Sequence, residues 1–398
     1  MVSGSSGGIK YSDFVDYSKL DPVKRLALNL FEPTLGYPES RDIRFIPETL
    51  GEASPAFDFS ELIKKGVEFL LVPNVEGLGT KNKIADAMYK EATENGTISE
   101  KRAHELYSGL GQDTMAMSVN DSLSIGADVF AYCDIITCGN SKWFDDRGRI
   151  EALLKGYRTA ADIGKIAIPQ GETPELRGIV YPDTLDLAGS SLGIIIPKER
   201  LVTGKKIAKN DFIIGLESSG IHSNGLTKAR AICSKLKDGF FTQVENRKTI
   251  GEQLLTPTTI YSQLILPLFD FADIHYLQPI TGHGWEKICR YRGRPFTYFI
   301  EELPEPNKVF ENLIELGKDY NKAVQKKDQF DLSERENYYT WNMGIGYVII
   351  VPDKDVDEVM ETIEKKGVAT CLLGYVDEGP RQVVMPFEED EKPVIYVP

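Results

Sequence analysis

Strand-like and helix-like segments alternate along this 398-residue chain, and the alternation runs through two rounds. The first round opens with the β-branched and aromatic run GVEFLLVP at residues 66–73, which predicts a strand. Helix-like spacing follows at residues 83–92 and 149–163, and strand-like runs lie at 128–136 and 190–197. The pattern therefore predicts domains that combine helices with strands.

A basic and polar stretch at residues 198–210 predicts a domain junction, after which the rhythm restarts. Thr256-Pro257 predicts the start of a helix that continues through an apolar segment to Phe271. Near the end, a strand at 346–351, a helix at 353–366 and a strand at 368–376 predict a β-α-β unit. We therefore predict a two-domain α+β fold, with domains at residues 9–200 and 201–398 after a flexible tail at residues 1–8.

The bulk composition limits the classes of partner that we expect this chain to bind. The formal net charge of -14 argues against nucleic acid or a membrane surface as a large partner, although one cleft can still be locally positive. No apolar run approaches the roughly 20 residues that span a bilayer. Five cysteines without a C-x-x-C pair, and no signal peptide, predict reduced thiols in a cytoplasmic protein.

The segment Glu76-Gly-Leu-Gly-Thr-Lys81 lies between a predicted strand and a predicted helix. Gly77 and Gly79 would let the backbone approach an anion, and the following helix start offers free N–H groups. Lys81 could contact a phosphate, and Glu76 could be a hard oxygen ligand for magnesium. An ordinary strand-to-helix turn is the alternative, since the Walker A spacing is absent.

Polar residues also interrupt a helix-like segment, DTMAMSVNDSLSIGAD. Asp113 and Asn120 are two turns apart and share a face, and Asn and Asp are poor interior helix formers. Contacts to a metal or nucleotide would explain them, and so would a cap or a satisfied buried polar pair. Farther on, Gly171-Glu172 follows a short strand, where ligands often bind, although a solvated turn fits as well.

The loop Ser218-Ser-Gly-Ile-His-Ser-Asn-Gly225 is dense in small residues and hydrogen-bond donors. Such a loop can hold a phosphate, and His222 could transfer protons near neutral pH. A lone histidine in a loop is more often structural, and no G-x-S-x-G elbow supports a hydrolase.

In order and spacing, the segments EGLGTK, DTMAMSVNDSLSIGAD, GETPE with DLAG, SSGIHSNG, LLTPT, the TGxG turn and NMGIG resemble the aminoimidazole ribonucleotide synthetase family, a PurM-like family. The resemblance spans residues 76–346. It implies ATP-dependent closure of the imidazole ring of formylglycinamidine ribonucleotide, with release of ADP and phosphate. It also implies a homodimer whose N-terminal strands form a shared barrel, with an ATP-binding N-terminal domain and a substrate-binding, sandwich-like C-terminal domain.

Carried over to matching positions, the resemblance implies ATP and Mg²⁺ as cofactors. The implied magnesium ligands are Glu76, Asp121 and Glu172. The implied nucleotide contacts are Gly77, Gly79, Thr80, Lys81, Asp113, Asn120, Asp134 and Gly171. The implied contacts to the phosphorylated substrate are Ser219, His222, Ser223 and Asn224. Lys81, Asp121 and His222 are the implied catalytic residues.

The chain departs from the family pattern in four places. Glu76 stands where the family usually has aspartate, and RFIPETLGEASPAFDFS replaces a glycine-rich loop upstream. Gln170 precedes Gly171 in place of glycine, and Pro279 and His283 alter the TGxG turn. These changes keep two alternatives open: an ATP-dependent enzyme of this fold with another substrate, and a nucleotide-binding protein without catalysis.

Overall fold

The computed structural model describes residues 17–244, 248–389 and 391–398, and it confirms a mixed α+β architecture with two domains. The tail predicted at residues 1–8 lies outside the described residues. Within the described ranges, none of the helices combines the length and the apolar character that a membrane crossing requires. All five cysteines are free thiols.

A four-stranded sheet in the order β3-β6-β4-β5 organises the N-terminal domain. Helix α5 packs across three of its strands, and α6 packs on α5. The helices of this domain are α1 (Tyr17–Phe31), α2 (Ser60–Lys64), α3 (Asn82–Asn95), α4 (Glu100–Glu105), α5 (Leu110–Leu123) and α6 (Arg147–Gly164). Its strands are β1 (Arg44–Phe45), β2 (Phe57–Asp58), β3 (Leu70–Gly77), β4 (Asp128–Cys138), β5 (Ala167–Glu172) and β6 (Leu185–Ile195).

A seven-stranded sheet in the order β13-β12-β9-β11-β7-β10-β8 organises the C-terminal domain. Its strands are β7 (Phe212–Glu217), β8 (Tyr276–Pro279), β9 (Phe296–Ile300), β10 (Ile345–Val351), β11 (Thr370–Glu378), β12 (Gln382–Glu389) and β13 (Lys392–Tyr396). The helices are α7 (Leu226–Cys233), α8 (Ile250–Leu254), α9 (Ser262–Ile265), α10 (Lys308–Lys322), α11 (Glu334–Thr340) and α12 (Val356–Glu364). Neighbouring residues of β7 enter different cores, Ile213 with α10 and Ile214 with α12, so helices cover both faces.

The helix predicted from Thr256-Pro257 to Phe271 is wrong. Residues 256–261 have no regular secondary structure, α9 is a single turn, and a short 3₁₀ helix follows at Leu266–Asp270. The physical reason is tertiary: the backbone groups of residues 256–261 bind side chains of the N-terminal domain, so they are not free for an i→i−4 ladder.

The register of the N-terminal sheet aligns three predicted site positions, Glu76, Asp134 and Gly171, in one row with Gly189. Glu76 is opposite Gly189, Gly189 is opposite Asp134, and Asp134 is opposite Gly171. Side chains at aligned positions leave the same face of a sheet. On this face, Asn74 accepts a hydrogen bond from Ser118 of α5 at 2.7 Å, so the row points toward the helical layer.

The opposite face of this sheet carries exposed apolar side chains. Leu71 and Val75 of β3 are 50% and 73% exposed, and Ile135 of β4 is 39% exposed. Register places Val75 and Ile135 on the same face, because both Val75 and Cys133 pair with Ser190. Exposed apolar side chains that share one face of a sheet are typical of interaction surfaces.

Candidate functional site

The turn after β3 keeps an open backbone, as the sequence predicts. Gly79 has φ +76°, a left-handed conformation that favours glycine, and a Cβ there would meet no atom within 4 Å. Thr80 is partly exposed, and α3 begins at Asn82. Gly77, Gly79 and Thr80 therefore lie on an accessible turn at a helix start, a geometry that suits an anion.

Glu76 and Asp121 form a carboxylate pair between β3 and the end of α5. Partial burial raises the pKa of Glu76, and the neighbouring Asp121 charge raises it further. Lys287 of the C-terminal domain faces both carboxylates, and the Lys287 amine donates to the hydroxyl of Thr281. Sequence reasoning missed Lys287, which lies on a 3₁₀ helix (Gly284–Cys289) without any recognisable motif.

Lys81 lies in a second cluster, and its side chain is fully buried. Its ammonium donates to Asp113 Oδ1 at 2.8 Å and to the carbonyl of Thr256 at 2.7 Å. Burial lowers the pKa of Lys81, and Asp113 opposes that shift. The predicted contact between Lys81 and ATP phosphates stays a prediction, because in this conformation the ammonium is directed at protein groups.

Asp113 joins the two domains. Its Oδ1 accepts hydrogen bonds from the Thr258 amide at 2.8 Å and the Thr258 hydroxyl at 2.5 Å, and from Ser223 Oγ at 3.3 Å. Its Oδ2 is buried without a partner. Asn120 acts similarly one turn before the end of α5, donating to Thr259 O at 2.8 Å and accepting from Tyr261 N at 3.0 Å. Asp113 and Asn120 thus bind the C-terminal domain.

The loop before α7 brings the predicted substrate residues close to the Lys81 cluster. His222 is buried, has φ +58°, and its Nε2 accepts a hydrogen bond from the Ser219 amide at 3.3 Å. Burial, and secondarily the charge of Lys81, lower the pKa of His222 to about 3. His222 is therefore neutral near pH 7, which weakens the argument for proton transfer. Ser219 is exposed, and the Asn224 amide nitrogen is buried without a partner.

Asp134 lines a pocket of about 170 Å³ between α1 and β5. Burial raises the pKa of Asp134 to about 7, with a smaller contribution from Glu172, and its Oδ1 has no partner. Gly171 is pressed against this carboxyl, since a Cβ there would come within 2.4 Å of Asp134 Oδ1. Gly51 and Glu52 line the same pocket, so the segment that replaces the glycine-rich loop lies over Asp134.

Glu172 does not join the carboxylate pair. It is opposite Ile135, one position beyond the Asp134 row, so its side chain leaves the other face of the sheet. Its Oε1 accepts from the Thr173 amide at 2.9 Å and lies 3.5 Å from the Lys24 amine. Among the described residues, no group of three or more His, Cys, Asp or Glu side chains is arranged to hold a metal ion. The predicted trio thus reduces to Glu76 and Asp121 within one chain.

The structure also places the remaining departures, His283, Pro279 and Gln170. His283 has φ +68°, so it adopts the left-handed conformation that glycine favours at the middle of the turn. Pro279 is buried at the end of β8, opposite Tyr347. Gln170 donates to the carbonyl of Ala53 at 3.0 Å and so holds the replacement segment against β5.

Comparison with known proteins places the chain. Residues 86–195 match the profile of the AIR synthase related protein N-terminal domain, and residues 311–386 match the C-terminal domain. The phosphoribosylformylglycinamidine cyclo-ligase of Carboxydothermus hydrogenoformans is 32% identical over 325 residues, 80% of this chain and 84% of that protein. The chain belongs to the AIR synthase family. The enzyme of the same name from Methanocaldococcus jannaschii is 32% identical to this family member, over 78% and 79% of the two chains.

Solved structures show the fold that this AIR synthase family member adopts. E. coli HypE matches with a TM-score of 0.58 and 15% identity, over 92% of this chain and 93% of the other. A HypE structure in complex with ATP matches at 0.57 and 16%, over 98% and 95%. Thiamine-monophosphate kinase from Stenotrophomonas maltophilia matches at 0.56 and 15%, over 96% and 98%. At these identities the likeness concerns the fold alone.

Proposed function

We propose that this family member is an ATP-dependent cyclo-ligase that converts formylglycinamidine ribonucleotide to aminoimidazole ribonucleotide. The observation that carries the proposal is the contact between the domains. There the charge of Lys287 acts on the Glu76–Asp121 pair, and the Lys81–Asp113 cluster meets the His222 loop. The identity to cyclo-ligases over about four-fifths of the chain supports this choice of substrate.

The proposed reaction places particular demands on the cleft. Two anionic phosphate groups must be held together while an intramolecular attack is aligned, which requires cations, N–H donors and positioning more than a strong nucleophile. The open turn at Gly77, Gly79 and Thr80 offers N–H groups at the start of α3. The amide nitrogen of Asn224 is buried without a partner, and the exposed Ser219 hydroxyl would have to release the Pro257 carbonyl, to which it donates at 2.6 Å, before it could donate to a phosphorylated substrate.

The residues present fit a magnesium ion at Glu76 and Asp121. Burial raises the pKa of Glu76, and the adjacent Asp121 carboxylate raises it further, which means that the pair favours added positive charge. Hard carboxylate oxygens are the ligands that Mg²⁺ prefers, and Mg²⁺ usually takes only one or two of them beside substrate phosphates. When bound, the ion would neutralise phosphate charge. Asp134 and Gly171, with the pocket beside α1, are the proposed support for the nucleotide.

A homodimer is part of the proposal. The exposed apolar face with Leu71, Val75 and Ile135 is the surface that a second copy would cover, and it belongs to the strands for which the resemblance implies a shared barrel. The proposed reaction acts on small molecules and needs no large basic surface. The net charge of -14 therefore fits an enzyme of small-molecule metabolism in the cytoplasm.

The test is an ADP-release assay with formylglycinamidine ribonucleotide, ATP and Mg²⁺. We expect substrate-dependent turnover, and we expect Asp121→Asn to lower kcat by about 100-fold or more, because the proposed magnesium ion would lose one of its two carboxylate ligands. Asp319→Asn, on an exposed carboxylate of α10, is the matched control and should leave turnover unchanged. Full activity of Asp121→Asn would contradict the assignment of the cleft.

A second candidate is an ATP-dependent enzyme of this fold that phosphorylates an oxygen of another substrate. The segment that replaces the glycine-rich loop favours this second candidate, because Glu52 lines the pocket of Asp134 and Ala53 accepts a hydrogen bond from Gln170. ATP binding without turnover on formylglycinamidine ribonucleotide would support this candidate. ATP binding without turnover on formylglycinamidine ribonucleotide or on any related compound that could accept a phosphoryl group would instead match the non-catalytic alternative.

A further inference from the structure

We infer that His275 is an imidazolium held between two carboxylates, and that it acts as a proton-dependent clamp on the start of strand β8. The inference does not depend on the proposed function, because the residues that carry it lie outside the candidate site. It gives a task to a buried histidine that belongs to none of the motifs in the sequence.

Both ring nitrogens of His275 face carboxylate oxygens. Nδ1 lies 2.6 Å from Asp211 Oδ2, and Nε2 lies 3.3 Å from Asp273 Oδ2. An ionised carboxylate can only accept hydrogen bonds, and a neutral imidazole has a single N–H group. A neutral ring would therefore direct the lone pair of one nitrogen at a carboxylate oxygen, whereas the imidazolium donates to both. The geometry favours the charged form.

Other charged groups hold the two carboxylates in place. Lys206, from the segment between the domains, has its Nζ 2.6 Å from Asp273 Oδ1, and its hydrogen bond lowers the pKa of Asp273. Asp355, just before α12, accepts from the Asp273 amide at 2.9 Å. The ammonium of Lys206 and the imidazolium of His275 therefore balance the charges of Asp211 and Asp273.

The proton on His275 decides whether this balance is kept. Burial opposes the charge of the ring, but the hydrogen bonds and charges of Asp211 and then of Asp273 outweigh it and raise the pKa of His275 from 6.5. The stability that the imidazolium confers is fully present below pH 6.5 and is lost as the pH rises through the raised pKa. Because Asp211 is only 3% exposed, water cannot replace the lost contact there. The clamp holds near neutral pH and releases at alkaline pH.

The clamp links two strands that do not pair with each other. Asp211 directly precedes β7, His275 directly precedes β8, and β10 lies between these strands in the sheet. In the described part of the sheet, β8 is a four-residue strand at the edge and is paired with β10. The His275 amide donates to Ile350 O of β10 at 2.9 Å. Release of the imidazole should therefore loosen the start of β8 while the rest of the domain stays folded.

The first experiment is nitrogen-15 NMR of the full-length protein with labelled histidine, from pH 5 to pH 10. The chain has four histidines, and the spectrum of His275→Gln identifies the signals of His275. We expect both of its ring nitrogens to be protonated at pH 7 and to lose a proton only at higher pH, above the ordinary value of about 6.5. The exposed His283 provides a reference titration in the same sample. A neutral His275 ring at pH 7 would overturn the inference.

Asp273→Asn removes one of the two charges and keeps an oxygen that can accept a hydrogen bond. We expect His275 to release its proton at lower pH in this variant, because the imidazolium loses part of its stabilisation. Asp357→Asn, on an exposed carboxylate of α12, is the matched control and should leave the titration unchanged. An Asp273→Asn protein in which His275 titrates as in the unaltered protein would contradict the two-carboxylate geometry.

Hydrogen–deuterium exchange at the His275 amide tests the clamp itself, as protection relative to the unfolded chain. We expect protection to fall by about tenfold or more as the ring loses its proton, and to be low at every pH in His275→Gln. The Ile280 amide, which donates to Gly346 O at 3.0 Å beyond the other end of β8, is the internal reference. If His275→Gln does not fold, Asp273→Asn provides the same comparison at a lower pH. Protection that does not follow the protonation of the ring would overturn the clamp.

Discussion

Lys81 illustrates how a residue with the right chemistry for a ligand can be engaged by the protein itself. Its ammonium contacts Asp113 and the Thr256 carbonyl, with no exposure to solvent. A buried ion pair is costly to desolvate and is weak evidence for net stability, but removing one partner leaves an uncompensated charge. The structural and the ligand-binding interpretations of Lys81 can therefore be separated by measuring stability and turnover together.

We expect Lys81→Met to lower the free energy of unfolding by about 3–5 kcal/mol, because Asp113 would remain buried without its cation. Urea denaturation followed by circular dichroism measures the change. Lys64→Met is the control, since Lys64 is 69% exposed and pairs with an exposed Glu61, and it should leave the free energy of unfolding almost unchanged. A stable Lys81→Met protein that has lost ATP turnover would show instead that Lys81 acts on the nucleotide.

The raised pKa of Asp134 predicts how the stability of the protein depends on pH. Its pKa is raised from 3.8 to about 7 by burial, so the folded state binds this proton more tightly than the unfolded state does. The stability that the protonated carboxyl confers is fully present below about pH 3.8 and is lost progressively as the pH rises to about 7.

Asp134→Asn replaces this carboxyl with a group that stays neutral. We expect the variant to gain stability over the unaltered protein as pH increases from 5 to 8, by up to a few kcal/mol, with the difference levelling off above the pKa of about 7. Urea midpoints at several pH values measure it, with Asp319→Asn as the exposed control. A stability difference that does not vary with pH would contradict the raised pKa.

At the scale of elements, α5 and residues 256–261 are held together by hydrogen bonds and form one joint between the domains. The side-chain amide of Asn120 binds this segment in the way that a neighbouring strand would, because it donates to Thr259 O and accepts from Tyr261 N. Tyr347 of β10 adds a hydroxyl donor to the Asn120 carbonyl at 3.1 Å. The irregular segment therefore gains its order from a helix in the other domain.

Asn120→Ala should release residues 256–261 without unfolding either domain. Two backbone groups would lose their partners, at about 1–3 kcal/mol each where they stay buried. Hydrogen–deuterium exchange at the Tyr261 amide should become faster by about tenfold or more. Ser124→Ala is the control, because Ser124 donates only to the Asp121 carbonyl within the same turn. Unchanged exchange at Tyr261 would contradict this account of the joint.

Local periodicity predicts most of the elements, and it fails where long-range contacts decide the conformation. The alternating pattern predicts β4 and α6 to within two residues, whereas β3 begins at Leu70 and continues to Gly77 because its register follows β6. Thr256-Pro257 has a helix-start signature, but side chains more than 100 positions away bind the backbone there. No local pattern carries that information.

The candidate site also contains residues that the sequence can identify and residues that it cannot. Short motifs identify Glu76, Asp121 and the His222 loop, since glycines and carboxylates near strand ends are visible in the sequence. The sequence cannot show that Glu172 leaves the other face of the sheet, which depends on pairing between β4 and β5. It also cannot show Lys287, whose relation to Glu76 exists only after the two domains pack together.

At the scale of the whole molecule, the exposed sheet face predicts self-association. Val75 is 73% exposed in the middle of β3, where an apolar residue on an otherwise acidic protein indicates a covered surface. We expect the unaltered protein to sediment as a dimer and Val75→Glu to weaken the dimer by at least about tenfold, since a charge would be buried at the contact.

Val397→Glu is the control for that experiment, because Val397 is 63% exposed at the end of the C-terminal domain. Sedimentation velocity over a range of concentrations distinguishes a weakened dimer from an unfolded chain. A monomeric unaltered protein, or a Val75→Glu protein that dimerises as tightly as the original, would contradict the use of this face.

Asn120 and Asp121 are adjacent, yet one secures the other domain and the next faces the proposed cation site. A single rigid peptide unit therefore connects the two tasks. A shift of the backbone at Asp121 therefore also displaces Asn120 and the hydrogen bonds that Asn120 makes with Thr259 and Tyr261. A ligand that moves the main chain at Asp121 would thus be felt at the contact between the two domains.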